Sequence, residues 1–440
     1  MNKTKSNHIL PIAIMFALFF MISFVTGLQN PMAIIVKNQF QASNFLSQLG
    51  NFANFLAYAF MGIPAGIILK KKGYRFTALS AVTVGFIGVG ISVLSGFIYN
   101  EAADNGTLTF AVYIIGALIS GFSMCMLNTV VNPMLNTLGG GGNTGNKLLQ
   151  FGGATNSIGA TIIPVLVAYL IGDVANANLS NARPALYIAG AIFALAFITL
   201  YFYRIPEPHI LSKEELIEDK KNGSIKQLFK FRHYLLGTIA IFVYVGVENG
   251  IPNMANLLMT SKVAEGGLAM NTTVAGGIVG TYWFLMLIGR LIGGSLGTKI
   301  SSKSMLSAVS GLGIALVVGA ILSAQFAPDV TVKMPVFNAD ISFSLDSVPL
   351  YIMLLTLCGF STSVMWGGIY NLAVEGLGKL TPAASGFFMV MVCGGGILPL
   401  IAGKVADLSN FMSSYWVIVV GLAYILFYAL IGSKKSKNQQ

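Results

Sequence analysis

The sequence predicts an all-α polytopic membrane protein, with twelve transmembrane helices arranged as two pseudo-symmetric six-helix bundles. Its composition is 55% hydrophobic and 9% charged, whereas an ordinary soluble domain carries about 25% charged residues. It contains twelve apolar runs, each long enough to cross the ~30 Å hydrocarbon core of a bilayer as a helix. Its basic residues are concentrated in alternate connections between these runs, as expected of a chain threaded through a membrane.

The apolar runs predict helices because lipid offers the backbone no hydrogen-bond partners, so a spanning segment must satisfy its own N–H and C=O groups. The first six predicted spans cover residues 9–36, 45–69, 77–98, 110–138, 148–171 and 185–203. The second six cover residues 234–260, 272–296, 304–324, 348–373, 382–405 and 411–431.

The longest polar stretch, residues 204–232, lies between the two groups of spans. It predicts an N-terminal six-helix bundle at residues 1–203, a cytoplasmic linker at 204–232 and a C-terminal six-helix bundle at 233–440. The segment Gly27 to Pro31 in the first span has a counterpart, Gly246 to Pro252, in the seventh, and each contains a proline. Such interruptions at corresponding places in two halves are typical of a binding site near the bilayer midplane.

The net charge of +11 is explained by the orientation of the chain in the membrane. Most of the 26 Lys and Arg residues lie in the N-terminal segment, the linker, the C-terminal tail and connections on the same side, such as residues 70–75. The positive-inside rule therefore places both termini in the cytoplasm. The net charge therefore does not indicate nucleic-acid binding.

Glu248 is the most informative residue, because it lies in the apolar run 234–260 with no basic residue between the ends of that run. A carboxylate at this depth costs at least ~2.5–3.5 kcal/mol, so it must face protein or a water-filled cavity. Such a residue marks the path of an ion, a proton or a substrate, which indicates transport. Three roles remain open for Glu248: a proton carrier, a sodium ligand, or a structural or substrate-binding acid.

Motifs in both halves of the chain share the pattern of one transporter family. In the first half they are Asn132-Pro133 and Asn156-Ser157. In the second half they are residues 244–248, Tyr282-Trp283 with Gly289-Arg290, residues 366–379 and residues 385–407. Together with six spans on either side of a cytoplasmic linker, these motifs resemble the fucose/glucose/galactose permease family of the major facilitator superfamily.

The resemblance covers nearly the whole chain and implies a secondary active transporter of the bacterial inner membrane. Such a protein imports a monosaccharide, either a hexose or a deoxyhexose such as fucose, glucose or galactose, by alternating access coupled to protons. The expected partners are the sugar, a co-transported proton or sodium ion and the lipid bilayer, and a monomer is expected. The alternatives are a sodium-coupled or uncoupled sugar facilitator, or an exporter of a small amphipathic compound.

Two positions depart from the pattern of that family. Its fucose permeases carry an Asp in the first helix and a Glu in the fourth, where this chain has Asn30 and Asn128. The predicted spans of the first half therefore contain no carboxylate. The proton-coupling scheme that the resemblance implies cannot be carried over residue by residue.

A sugar site needs amides that bind pairs of hydroxyls and aromatic planes that cover the apolar face of the ring. Asn249, Asn253 and Asn256 repeat at i, i+4 and i+7 and place one polar stripe on the seventh span. A single amide can instead serve helix packing, worth ~0.6–2 kcal/mol. The predicted substrate-binding residues are Asn30, Asn128, Asn132, Gln150, Asn156, Tyr244, Asn249, Asn253, Trp283, Arg290, Trp366 and Tyr370.

Arg290 is the other charge within a predicted span, near the inner end of the eighth. The resemblance to related permeases implies that it binds the substrate or Glu248 when the site closes, with a salt bridge in a gate as the alternative. The sequence shows no metal-ligand cluster, nucleophile motif or phosphate loop, so neither an enzyme nor a cofactor is expected. The sequence predicts no function for the polar connection 326–347.

Overall fold

The computed structural model describes residues 9–99, 106–139, 142–172, 176–207, 227–296, 300–338, 340–377 and 380–434. Within these residues, eleven helical stretches are long and apolar enough to cross a membrane. One of them, Leu49–Ile98, is 50 residues long and is interrupted at Gly73, so it supplies two spans. The predicted number of twelve spans is therefore confirmed. Residues 208–226 of the predicted linker lie outside the described residues.

The first six spans precede that linker. Span 1 consists of Ile9–Gly27 and Gln29–Gln39, and the short helix Asn44–Ser47 leads into span 2. Spans 2 and 3 are residues 49–72 and 74–98. Spans 4, 5 and 6 are Gly106–Leu138, Gly142–Ile171 and Arg183–Phe202.

The second six spans follow the linker, and two of them are interrupted. Spans 7, 8 and 9 are Arg232–Thr260, Thr272–Leu296 and Ser302–Phe326. Span 10 is split into Leu350–Thr362 and Met365–Val374. Span 11 consists of Thr381–Val390, a 3₁₀ turn at Met391–Cys393 and Gly394–Leu408. Span 12 is Phe411–Phe427 and ends in a π turn, Tyr428–Gly432.

The interruption at Gly73 is stabilised by a carboxylate from another span. Gly73 has φ +87°, a conformation that favours glycine. The carboxylate of Glu207, just after span 6, accepts hydrogen bonds from the backbone N–H of Tyr74 at 2.6 Å and of Arg75 at 2.9 Å. A negative charge at the start of a helix is favourable, because unpaired N–H groups are concentrated there. The basic connection 70–75 is thereby tied to the end of span 6.

The structure adds a two-stranded antiparallel sheet to the expected all-α architecture. Strands β1 (Thr331–Phe337) and β2 (Phe343–Pro349) form a hairpin. The hairpin contains most of the polar connection 326–347, for which the sequence predicted no function. The hydroxyl of Thr281 in span 8 accepts a hydrogen bond from the backbone N–H of Phe337 at 3.0 Å. Gly277 lets β1 approach, because a Cβ at that position would overlap the backbone of Phe337. The hairpin is therefore stabilised by its contacts with span 8.

Small residues allow the spans to pack closely. A Cβ at Gly121 in span 4 would overlap the backbone of Asn54 in span 2, and one at Gly88 would overlap Ser120. Close backbone approach at Gly and Ser is the usual basis of helix association in membranes.

Between the halves, span 5 packs against span 8 and span 2 packs against span 11. Cys125, Cys358 and Cys393 are buried free thiols.

Candidate functional site

A cavity of about 170 Å³ lies between the two halves of the protein. Spans 1, 2, 4 and 5 line it on one side, and spans 7, 8, 10 and 11 line it on the other. The interruptions of spans 10 and 11 both lie at its wall, at Ser363 and Val392. Most of the predicted site residues line this cavity: Asn128, Asn132, Gln150, Asn156, Glu248, Asn249, Asn253, Trp283, Arg290, Trp366 and Tyr370.

Two predicted residues do not appear in this lining. Tyr244 is fully buried behind the cavity and donates a hydrogen bond to Glu248. The side chain of Asn30 lies outside the described residues. Asn256, the third member of the predicted polar stripe, is buried away from the cavity. The stripe therefore reaches the cavity only through Asn249 and Asn253.

Glu248 and Arg290 form an ion pair in the cavity wall. The Nη2 atom of Arg290 lies 3.0 Å from Oε1 of Glu248, and the two side chains are only 11% and 13% exposed. The hydroxyl of Tyr244 donates to the same carboxylate oxygen at 2.7 Å. Because both charges are paired and hydrogen-bonded, the burial that the sequence implied for Glu248 is tolerated.

Arg290 also connects the two halves. Its Nη1 atom donates to the backbone carbonyl of Gly153 at 2.6 Å and to the hydroxyl of Ser157 at 2.8 Å, both in span 5. The planar guanidinium group makes this possible, because it presents several donors in fixed directions. A change in the charge of Glu248 would thus act on a residue that contacts both halves.

Span 7 is positioned around Glu248 by Pro252. A proline has no N–H, so Pro252 leaves the backbone carbonyl of Glu248, four residues earlier, without its helical partner. The hydroxyl of Tyr282 in span 8 donates to this carbonyl at 3.0 Å and contacts the hydroxyl of Thr362 in span 10 at 3.1 Å. The proline within span 7 thus frees a carbonyl through which Tyr282 links spans 7, 8 and 10 beside the acid.

The amides of the cavity are held at one end by helix carbonyls. Asn132 donates to the carbonyl of Asn128 at 2.8 Å, and Asn156 donates to that of Phe19 at 3.2 Å. Asn249 donates to the carbonyl of Val245 at 2.9 Å. In the part of the chain that the structure describes, no donor reaches the oxygen of these three amides. They can therefore accept hydrogen bonds from a ligand without losing their orientation.

Aromatic side chains of spans 8 and 10 form part of the cavity wall. The ring of Trp366 lies 6.3 Å from those of Tyr244 and Phe388, and Tyr370 lies 5.3 Å from Phe388. Trp283 packs edge-on against Tyr282 at 5.2 Å. The first half of the chain thus supplies most of the lining amides and the second half supplies the ion pair, while both halves supply aromatic rings.

Some lining residues were missed by sequence reasoning. Tyr58 accepts a hydrogen bond from Asn128 at 2.9 Å, and Asn51 lines the cavity about two turns before it along span 2. The spacing of seven residues between them is the signal that would have placed both on one helical face. Asn54 lies on another face, where it donates to the carbonyl of Ala117 and serves packing.

The halves are joined at one end of the bundle, here called the Lys37 end. The Nζ atom of Lys37 in span 1 lies 3.0 Å from Oε2 of Glu265 and donates to the hydroxyl of Ser261 at 2.7 Å. The carboxylate of Asp407 in span 11 accepts hydrogen bonds from the backbone N–H of Asn44 at 2.8 Å and of Phe45 at 2.9 Å. All of these contacts run between the first half and the second, so the protein is closed at this end.

Residues 15–400 match the sequence profile of the Major Facilitator Superfamily. The chain belongs to this superfamily. The match runs from span 1 into span 11, and with the helical architecture it identifies a multi-pass membrane transporter.

Known members of the superfamily resemble the chain along nearly its whole length. It is 28% identical to a glucose/galactose transporter of Brucella abortus over 447 residues, which is 98% of this chain and 96% of the relative. It is 24% identical to the L-fucose-proton symporter of Escherichia coli over 456 residues, covering 98% and 95% of the two chains. The resemblance to the fucose/glucose/galactose permease family is thereby confirmed.

A solved superfamily structure shares the fold. The transporter FucP, crystallised in the outward conformation, superposes with a TM-score of 0.69 at 21% identity, covering 97% of this chain and 99% of FucP. The twelve-helix fold expected from the sequence is therefore confirmed.

Proposed function

We propose that this protein is a sugar symporter that imports a monosaccharide by alternating access. The observation that carries the proposal is the composition of the cavity between the halves. Amides with one end unoccupied and aromatic planes line it together, and a buried acid–arginine pair lies in its wall. Neutral, hydroxyl-rich molecules with one apolar ring face match such a site.

The size of the cavity supports a single sugar ring. A volume of 170 Å³ holds about a dozen water-sized groups, at roughly 10–15 Å³ each. A hexose has about as many non-hydrogen atoms. The relatives named as glucose/galactose transporter and L-fucose-proton symporter support the same class of substrate.

We assign proton coupling to Glu248. When the acid is ionised it pairs with Arg290, and protonation removes the charge that holds that pair together. The guanidinium group then keeps only its contacts with Gly153 and Ser157 in span 5. Because one charge moved through 100 mV is worth ~2.3 kcal/mol, a single proton per sugar would support about fortyfold accumulation.

A proton fits Glu248 better than sodium does. Arg290 already occupies the position of a counter-cation beside the carboxylate, at 3.0 Å. A sodium ion would have to displace this guanidinium group and would lie next to its positive charge. The relative in Escherichia coli, a proton symporter, supports the same choice.

We place the protein in the bacterial inner membrane with both termini in the cytoplasm, as the positive-inside rule indicates. The Lys37 end then faces outward, and the contacts there close the cavity to the outside. In the transport cycle, residues 1–203 and 233–440 would rock against each other around the cavity and open its two ends in turn.

The test is the variant Glu248→Gln in proteoliposomes. The variant should still exchange labelled sugar for unlabelled sugar at equal concentrations, because exchange needs no driving ion. It should no longer accumulate sugar in response to a pH gradient. Asp346→Asn, which makes the same chemical change in the hairpin, is the matched control and should behave as the wild type. Undiminished accumulation by Glu248→Gln would remove Glu248 from the coupling mechanism.

A further inference from the structure

We infer that Gln48, the residue just before span 2, and Asn51 of span 2 are substrate-binding residues in the state that is open at the Lys37 end, and that the same side chains close the cavity in the present state. The inference rests on the proposed sugar transport and extends it to two residues outside the predicted site. Both contact the second half of the protein directly, Asn51 in the cavity wall and Gln48 through the lining residue Asn253.

The two amides form an inner layer of closure. Asn51 lines the cavity and donates to the backbone carbonyl of Gly395 in span 11 at 3.0 Å. Gln48 accepts a long hydrogen bond of 3.4 Å from Asn253, another lining residue, in span 7. Gly395 permits this approach, because a Cβ there would overlap the ring of Phe55. When the halves separate at this end, these contacts must break.

Gln48 is incompletely bonded in the closed state. Its side chain is 0% exposed, and its Nε2 atom has no hydrogen-bond partner among the described residues. A buried donor without a partner is unfavourable, so this side chain destabilises the closed state. A ligand hydroxyl in the open state would supply the missing acceptor.

The chemistry of this layer differs from that of the layer farther out. Lys37 and Glu265 form an ion pair. When this end opens, the two charges separate and become hydrated, and a neutral sugar has no charge with which to replace either partner. Gln48, Asn51 and Asn253 are neutral groups, and each can exchange an amide partner for a sugar hydroxyl with little change in free energy. The outer layer therefore only closes the protein, whereas the inner layer alternates between binding the sugar and binding the opposite half.

The two roles predict opposite effects on transport. A residue that only closes the Lys37 end favours the inward-open state, so its loss lowers the external half-saturation constant and raises the internal one. Loss of a residue that also binds sugar in the outward-open state should instead raise the external half-saturation constant. Each lost hydrogen bond to the sugar should raise the external half-saturation constant by about tenfold.

The experiment compares Gln48→Met and Asn51→Leu with Lys37→Met as the closure-only control. Oriented proteoliposomes would be assayed for exchange of glucose, galactose and fucose, with the half-saturation constant measured from each side. We expect the external constant to rise about tenfold in the two span 2 variants and to fall in Lys37→Met. Thermal unfolding of each purified variant checks folding, and Gln48→Met in particular removes the unpaired buried donor.

Several results would overturn the inference. If the span 2 variants shift the external constant in the same direction as Lys37→Met, the two amides only close the protein. An unchanged external constant would also exclude their binding role. If the wild type exchanges none of the three sugars, both this inference and the proposed function are overturned. Exchange by the wild type with unaffected variants overturns this inference alone.

Discussion

At the scale of single residues, the acid–arginine pair shows how a charge is kept inside a membrane protein. Glu248 has one charged partner, Arg290, and one neutral donor, Tyr244, on the same carboxylate oxygen. Tyr282 binds its backbone carbonyl. The side chain is thus positioned from spans 7 and 8 together. This arrangement leaves the pair facing the cavity instead of lipid.

Replacing Arg290 should separate its structural role from its role in transport. Arg290→Met leaves the buried carboxylate without a cation, which should lower the free energy of unfolding by about 3–5 kcal/mol. The double variant Glu248→Gln with Arg290→Met removes both charges and should recover most of that loss in thermal unfolding. Sugar exchange should stay low in both. Equal thermal stability of the wild type and Arg290→Met would contradict the structural role.

At the scale of elements, the helices around the cavity are positioned by prolines, glycines and carboxylates at their interruptions and ends. Pro252 frees the carbonyl that Tyr282 binds, and the glycines of span 11 let span 2 approach. Glu207, just after span 6, and Asp407 in span 11 each cap the start of a helix in the first half. The β-hairpin adds a contact to span 8 through Thr281. Each of these contacts links elements that are distant in sequence.

Gly359 in span 10 should be intolerant of a side chain. A Cβ there would overlap the backbone carbonyl of Tyr282, so Gly359→Ala must push spans 8 and 10 apart. We expect a loss of about 1–3 kcal/mol in the free energy of unfolding. Gly311→Ala in span 9 is the control, since its Cβ meets no atom within 4 Å. Because alanine favours helix by about 1 kcal/mol over glycine, this control should be neutral or stabilising. Equal thermal stability of the two variants would refute the packing argument.

At the scale of the whole molecule, closure at the Lys37 end depends on contacts in two layers. The inner layer consists of neutral amides at the cavity, and the outer layer consists of ionised groups. Asp407 belongs to the outer layer, because both of its carboxylate oxygens accept backbone N–H groups of the first half. Alternating access requires that these contacts break together when the other end closes.

Weakening the outer layer should shift the protein toward the outward-open state. Asp407→Asn removes the charge at the start of the helix Asn44–Ser47, and hydrogen bonds to charged groups contribute about 1.5–3 kcal/mol. A cysteine placed at Asn253 should then react at least about tenfold faster with a membrane-impermeant maleimide added outside. Asp346→Asn in the same cysteine background should leave the labelling rate unchanged. No acceleration in Asp407→Asn would show that this contact does not hold the gate.

The sequence by itself determined the twelve spans and the two groups of six, because membrane insertion depends on the local length and polarity of each segment. It also singled out Glu248 and most lining amides, since a polar group in an apolar run must face protein or water. These properties belong to one helix at a time.

Only the tertiary structure decided which of these groups meet. Among the partners predicted for Arg290 it selected Glu248, and it brought this arginine to span 5. It also placed Asn51 beside the cavity while turning Asn256 away. It also showed the hairpin, which depends on span 8 for its contacts. Such features follow from how helices rotate and tilt against one another. That arrangement is fixed by packing between distant segments, and the periodicity of a single helix does not contain it.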